Sequence, residues 1–140
     1  MSIVINGTNG EITPLATFTG TTSQVGISLV SGLEKVTVSA TAATGTINYD
    51  VTTQSNLYYT ANAAANWTIN FRGSSGTSMN TMMAIGDSTT VVHMVTNGGS
   101  AYYNNAVQVD GSSVTPEYQG GTAFSAGNAN SIDVLSLIHI

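Results

Sequence analysis

Charge is the scarcest property of this chain. Lys35 and Arg72 are its only basic residues, against seven Asp and Glu in 140 positions, and cysteine is absent. Two cations on a chain of net charge −5 exclude nucleic acid as a partner, because such binding rests on neutralising several phosphates. The missing cysteines exclude a disulfide framework, a thiolate metal site and a redox motif. No apolar run approaches the roughly 20 residues that span a membrane, so no membrane insertion is expected. The start, Met1-Ser2-Ile3-Val4-Ile5, lacks the basic segment and long apolar run of a signal peptide, so none is expected. Solubility falls to Thr, Ser, Asn and Gly, a hydrogen-bonding surface suited to sugars or to copies of the same chain.

What the chain does have is alternation. Val36, Val38, Ala40 and Ala42 occupy every second position with Thr37, Ser39 and Thr41 between them. Ile47, Tyr49 and Val51 repeat the pattern, as do Trp67, Ile69 and Phe71. A period of two places the apolar set on one face of a strand, towards a core, with hydroxyls and amides facing water. The reading is all-β: an antiparallel β-sandwich or jelly-roll-like module over residues 34–134, carried on a short extended N-terminal stem over 1–33. Strands are predicted at Glu34–Ala43, Thr46–Val51, Leu57–Thr60, Trp67–Arg72, Thr89–Asn97, Ala101–Asp110 and Val114–Gln119, with a last one beginning at Ser131. Asn97-Gly98-Gly99-Ser100 reads as a hairpin turn that folds Ala101–Asp110 back on Thr89–Asn97, and Asp110-Gly111 as another turn. Ser78–Ile85 is the one plausible helix, N-capped by Ser78, with Met79, Met82 and Met83 at helical spacing. No internal repeat is evident.

Residues 135–140, Leu-Ser-Leu-Ile-His-Ile, are what the common transposase sequencing adapter encodes in this frame. They are expected to be an artefact of sequencing, with the native chain continuing differently after Val134.

Residues that carry chemistry are scattered. The carboxylates sit at strand ends and turns, where Asp usually accepts bonds from nearby backbone amides. A glycosidase needs two of them facing across a cleft, and nothing selects a pair such as Asp87 and Asp110. His93 shares a face with Val91 and Val95 and has no second ligand nearby, which suits a structural histidine better than a metal site. The serines lack a Gly-x-Ser-x-Gly elbow, and Gly73–Gly76 lacks the Lys that would make it a phosphate loop. No enzyme and no cofactor is expected. The tyrosines say more. In Tyr58-Tyr59 and Tyr102-Tyr103 one ring of each pair should face inward and its neighbour outward. Outward rings, with Tyr118, are candidates for receptor or interface contact, since both glycan sites and subunit interfaces use tyrosine.

The run Lys35–Val51, with Leu57-Tyr58-Tyr59-Thr60, Trp67–Gly73, Val95-Thr96-Asn97-Gly98-Gly99, Ala101-Tyr102-Tyr103, Gln108-Val109-Asp110-Gly111 and Gln119-Gly120-Gly121, resembles a module of tail-fibre and virion structural proteins of tailed bacteriophages, the marine ones especially. The resemblance covers residues 34–134 and brings no catalytic residue. It implies a particle component near the tail, a homotrimer in contact with other virion proteins, made in the host cytoplasm. Its attachment to a host-surface glycan would use the loops Ala61–Asn66, Gly73–Thr77 and Gly120–Asn130. A carbohydrate-binding module holding glycan on outer tyrosines is the alternative.

Overall fold

The computed structural model describes residues 34–139; the stem expected over residues 1–33 lies outside them. Eight strands and one helical turn follow in order: β1 (Val36–Ala42), β2 (Gly45–Asp50), β3 (Asn56–Ala61), β4 (Trp67–Arg72), α1 (Met79–Met82), β5 (Thr89–Thr96), β6 (Asn104–Val109), β7 (Ser112–Val114) and β8 (Ile132–His139). The chain is all-β, as its alternation predicts.

The pairing differs from the antiparallel expectation. From β1 to β6 successive strands do not pair; they alternate between two four-stranded sheets, ordered β1-β3-β5-β8 (sheet A) and β2-β4-β6-β7 (sheet B), and only β6 and β7 are neighbours in both chain and sheet. Both sheets are mixed. β1, β3 and β5 run parallel, as do β2, β4 and β6, and the antiparallel pairs are β5–β8 and β6–β7. The chain thus winds through three coils, β1-β2, β3-β4 and β5-β6. A parallel neighbour cannot be reached by a tight turn. Here the return path is the intervening strand in the other sheet. Asn97-Gly98-Gly99-Ser100 is therefore not a hairpin turn but the step from β5 in sheet A to β6 in sheet B. Asp110-Gly111 is one, with φ of 51° and 80° joining β6 to β7, the paired positive angles that a two-residue hairpin demands. β7 ends at Val114, before Pro116, which has no N–H for a ladder. β8 runs past Val134 through Leu135–His139, pairing with β5 along its whole length.

The inner faces of both sheets contribute to one core. Ile47, Tyr49, Trp67, Ile69, Phe71 and Val107 come from sheet B, and Leu57, Val91 and Val95 from sheet A. Trp67 faces inward as expected. α1 is a single turn: Ser78 Oγ accepts from the Thr81 N–H at 3.1 Å, and both oxygens of Asp110 accept from the Met79 N–H at 2.9 Å. Of the three methionines at helical spacing only Met79 is buried; Met82 is exposed and Met83 half-buried.

β1 reverses the expected orientation. Thr37 and Ser39 point towards the interior, while Val36 and Val38 are 39% and 60% exposed. Alternation establishes that Val36 and Val38 share a face, and packing decides which face is covered. In sheet A the inward positions beside β1 are already filled by Leu57 and Tyr59 of β3, so the valines are left on the outside.

Candidate functional site

The outer faces of the two sheets have opposite chemistry. On sheet B the parallel register stacks like residues. Thr46 lies beside Thr68, and Asn70 Nδ2 donates to Asn48 Oδ1 at 2.8 Å while its own Oδ1 accepts from the Gly111 N–H. Arg72 Nε donates to Asp50 Oδ1 at 2.5 Å across the same pair of strands. The amides and the ion pair bond within the face, which makes it a polar surface.

On sheet A the register draws Val38, Tyr58, Met94 and Val134 into one row across all four strands. Val36 flanks the row on one side, and Ile132 and Ile138 stand on β8. Val134 and Ile138 are 60% and 67% exposed. Several polar groups among them are partnered within the sheet. The Tyr58 and Thr96 hydroxyls share a bond at 3.2 Å, Asn56 Nδ2 donates to Glu34 Oε2 at 2.7 Å, and Thr60 Oγ1 donates to the Ser39 carbonyl at 3.2 Å.

The structure distributes the candidate tyrosines over several places. Tyr58 is on the outer face of sheet A, and its neighbour Tyr59 turns inward beside His93, ring centroids 5.7 Å apart. The alternation argument holds for this pair. Tyr102 and Tyr103 precede β6, so neither lies in a strand; Tyr102 packs on the core. Tyr103 and Tyr118 converge on Phe124, with edge-to-face centroid separations of 5.9 and 5.5 Å. Phe124 was not among the candidates, because it stands alone in a loop with no alternation to mark it. Tyr118 and Phe124 flank a cleft of about 970 Å³, walled by Phe71, Val107 and Val109 of sheet B and by Leu135 and Leu137 of sheet A.

Two of the loops expected to act together share an end of the winding. Residues 61–66 are pinned by the Ala63 N–H to the Thr96 carbonyl at 2.8 Å and by the Tyr103 N–H to Asn66 Oδ1 at 3.1 Å. Residues 120–130 are held to the same end by the Asn130 N–H on the Gly98 carbonyl, and by Asp133, which accepts from Asn97 Nδ2 and Asn128 Nδ2, both at 2.9 Å. Gly127 lies so close to the Tyr102 carbonyl and the Asp133 carboxylate that no larger residue fits there. Residues 73–77 lie at the opposite end, where the Thr52 N–H bonds the Gly73 carbonyl.

The acids behave as turn residues. Asp87 accepts from the Ala84 N–H, Asp110 from the Met79 N–H and Asp133 from the Asn128 N–H. Asp87 and Asp110 are each occupied by backbone, and among the described residues no three of His, Asp and Glu gather as a metal would require. His93 is completely buried between Tyr59 and Trp67, its ring nitrogens without partners, and burial lowers its pKa to about 4. It is a neutral core residue at neutral pH, sharing a face with Val91 and Val95 as read from the sequence. Among the described residues no helix is long and apolar enough to cross a membrane.

A scan against protein-family models, a search of curated proteins and a search of solved structures each find no match to this chain.

Proposed function

We propose that this chain is a structural component of a phage virion, of the tail-fibre or tail-appendage kind, whose work is contact and not turnover. It assembles with copies of itself and with other virion proteins, and it offers loops at the end of its winding to a host surface. The finer architecture, two sheets layered as a β-sandwich on an N-terminal stem, belongs to this reading. The observation that carries it is the contrast between the outer faces. One sheet presents amides, hydroxyls and an ion pair, and the other carries a row of apolar side chains across its outer face. An uncovered apolar face of this extent marks a contact surface on a soluble protein. The resemblance of residues 34–134 to tail-fibre modules supplies the setting. Proteomics of purified particles is expected to find peptides of this chain at many copies per particle. Their absence from intact particles would remove the reading.

A second reading is favoured by one local feature, the Tyr103–Phe124–Tyr118 cluster beside the cleft. Aromatic faces next to the amide of Gln119 suit a sugar ring, which stacks on its apolar side and hydrogen-bonds at its edge. In that case Tyr118→Ala should abolish binding on a glycan array while circular dichroism shows the fold intact, at a stability cost of about 1 kcal/mol for the lost packing on Phe124. Unchanged binding would exclude this cluster as the sugar site.

A further inference from the structure

We infer that a second pocket, at the end of the winding that carries residues 73–77, takes an acidic sugar: a ring of hydroxyls bearing a carboxylate. The inference rests on the host-surface contact proposed above and names the chemical class met there.

The pocket has a volume of about 360 Å³ and lies where the β2–β3 connection meets the starts of β1 and β5. Small-molecule sites usually run from about 300 to 1,000 Å³, and the low end suits a single sugar unit. Its walls are residues 35, 51–55 and 89–91, so it is built from chain well before Val134. The connection is held in shape by its own bonds. The Thr53 and Gln54 N–H groups both donate to the Asp50 carbonyl at 3.0 Å, and the Tyr49 hydroxyl donates to the Ser55 carbonyl. A wall fixed in advance needs little further ordering when a ligand arrives.

The polarity of the hydrogen bonds selects the ligand. Thr52 Oγ1 donates to the Gly73 carbonyl at 2.8 Å, Thr53 Oγ1 to the Asp50 carbonyl at 3.3 Å and Ser55 Oγ to the Lys35 carbonyl at 3.4 Å. A hydroxyl has one proton to give, so towards a ligand these three oxygens can only accept. Gln54 is the reverse: its Oε1 takes the Asp50 N–H at 3.1 Å, and its Nε2 keeps protons to donate. Lys35 can only donate. Among the described residues the one ion pair is Arg72 with Asp50, so the lysine keeps its charge for a ligand.

Acceptors beside donors match the hydroxyls of a sugar, each of which gives and takes, and the lysine matches a carboxylate. Sulfate, which only accepts, would face three oxygens with no proton to offer it. A neutral sugar would leave Lys35 unused. Val51 and Val91 supply an apolar wall for the C–H face of the ring. The acids nearest in sequence do not compete for the lysine. Glu34 accepts from Asn56 Nδ2 at 2.7 Å, and alternation sets it on the opposite side of the chain from Lys35. Asp50 is held by Arg72 and Asp87 by the Ala84 N–H.

The test titrates the full-length chain with glucuronate, glucose and sulfate separately, following backbone amides by proton–nitrogen NMR correlation spectra. Glucuronate is expected to shift the amides of residues 51–55 and 89–91 saturably. Glucose, which lacks the carboxylate, should bind there about tenfold more weakly, the worth of one hydrogen bond between charged groups, and sulfate should not saturate. Lys35→Gln should erase the preference for glucuronate, and Lys35→Arg should keep it. Thr53→Val should weaken both sugars by roughly severalfold and leave the preference intact. Lys35 and Thr53 are exposed, so circular dichroism and the urea midpoint of these variants should match the parent. Shifts confined to other residues, glucose or sulfate binding as tightly as glucuronate, or a Lys35→Gln variant that still prefers glucuronate would each overturn the inference. Particles that contain the chain while glucuronate moves no amide of this pocket would sink this inference alone. Glucuronate bound in the pocket by a chain missing from particles would sink the virion role alone.

Discussion

Trp67→Ala is expected to cost about 3–5 kcal/mol, the range for emptying a fully buried aromatic site. Trp67 opens β4, the middle strand of the parallel part of sheet B, and is 1% exposed. Its ring reaches across the core to His93 of sheet A, edge to face at 6.2 Å. The indole is thus a contact through which the second coil grips the third. Its neighbours are strand residues fixed by ladders on both sides, so they cannot collapse into the space. Small domains hold only about 5–15 kcal/mol in total, so the substitution removes a large part of the stability. Urea denaturation followed by far-ultraviolet circular dichroism measures it. A loss below about 1 kcal/mol would show that Trp67 does not bridge the sheets.

Mild acid should destabilise the fold through His93. An exposed histidine takes up its proton near pH 6.5, and burial pushes the folded-state value down to about 4. Between those two values the unfolded chain holds more protons than the folded one, so stability falls as pH falls. The slope is about 1.4 kcal/mol per pH unit, and the total loss is about 3 kcal/mol. The loss is absent above pH 6.5 and complete once the pH is below 4. The rings of Tyr59 and Trp67 face the imidazole and Leu57 and Leu135 flank it in the ladder, and none of them carries a charge that could hold the imidazolium. The control is His93→Leu, of similar bulk and without the two unpartnered nitrogens. It should be no less stable than the parent at pH 7, since it removes unpaired polar atoms from the core. Between pH 6.5 and 4 its stability should decline less than the parent's by the same 3 kcal/mol. Equal pH slopes in both proteins would assign acid sensitivity to the carboxylates and release His93 from this role.

The strands were legible in the sequence and their partners were not. Period-two runs such as Trp67–Arg72 and Thr89–Thr96 mark extended chain whatever lies beside it. Which strand lies beside it is set by the path between them, and that path here crosses to the other sheet each time. Asn97 shows the difficulty. Beside Gly98 and Gly99 it reads as a hairpin residue, yet its side chain is buried, donating to the Tyr102 carbonyl at 2.8 Å and to Asp133. Asp110, with the same signature, takes positive φ and does turn a hairpin. The site was half legible. The pairing of Tyr58 with Tyr59 marks one ring as outward, but the alternation of Val36 and Val38 points to the core, because apolar alternation by itself implies burial. A sign of this lay in β5, where Val92 and Met94 alternate with Val91 and Val95. Apolar residues on both faces of one strand show that apolar alternation in this sheet does not by itself tell the inner face from the outer.

The winding has one more implication, for how the chain can change. Each coil takes its alignment from the one beneath it, through ladders such as Asn48 on Asn70 and Ile47 on Ile69. The passage from β1 to β2 needs only Ala43 and Thr44, whereas that from β4 to β5 spends residues 73–88, including α1, and the ladders on either side keep their alignment. Length is therefore cheap at the rims and costly along the strands. A lineage under pressure to alter what its rim segments touch can lengthen, shorten or exchange them while the spool beneath stays wound.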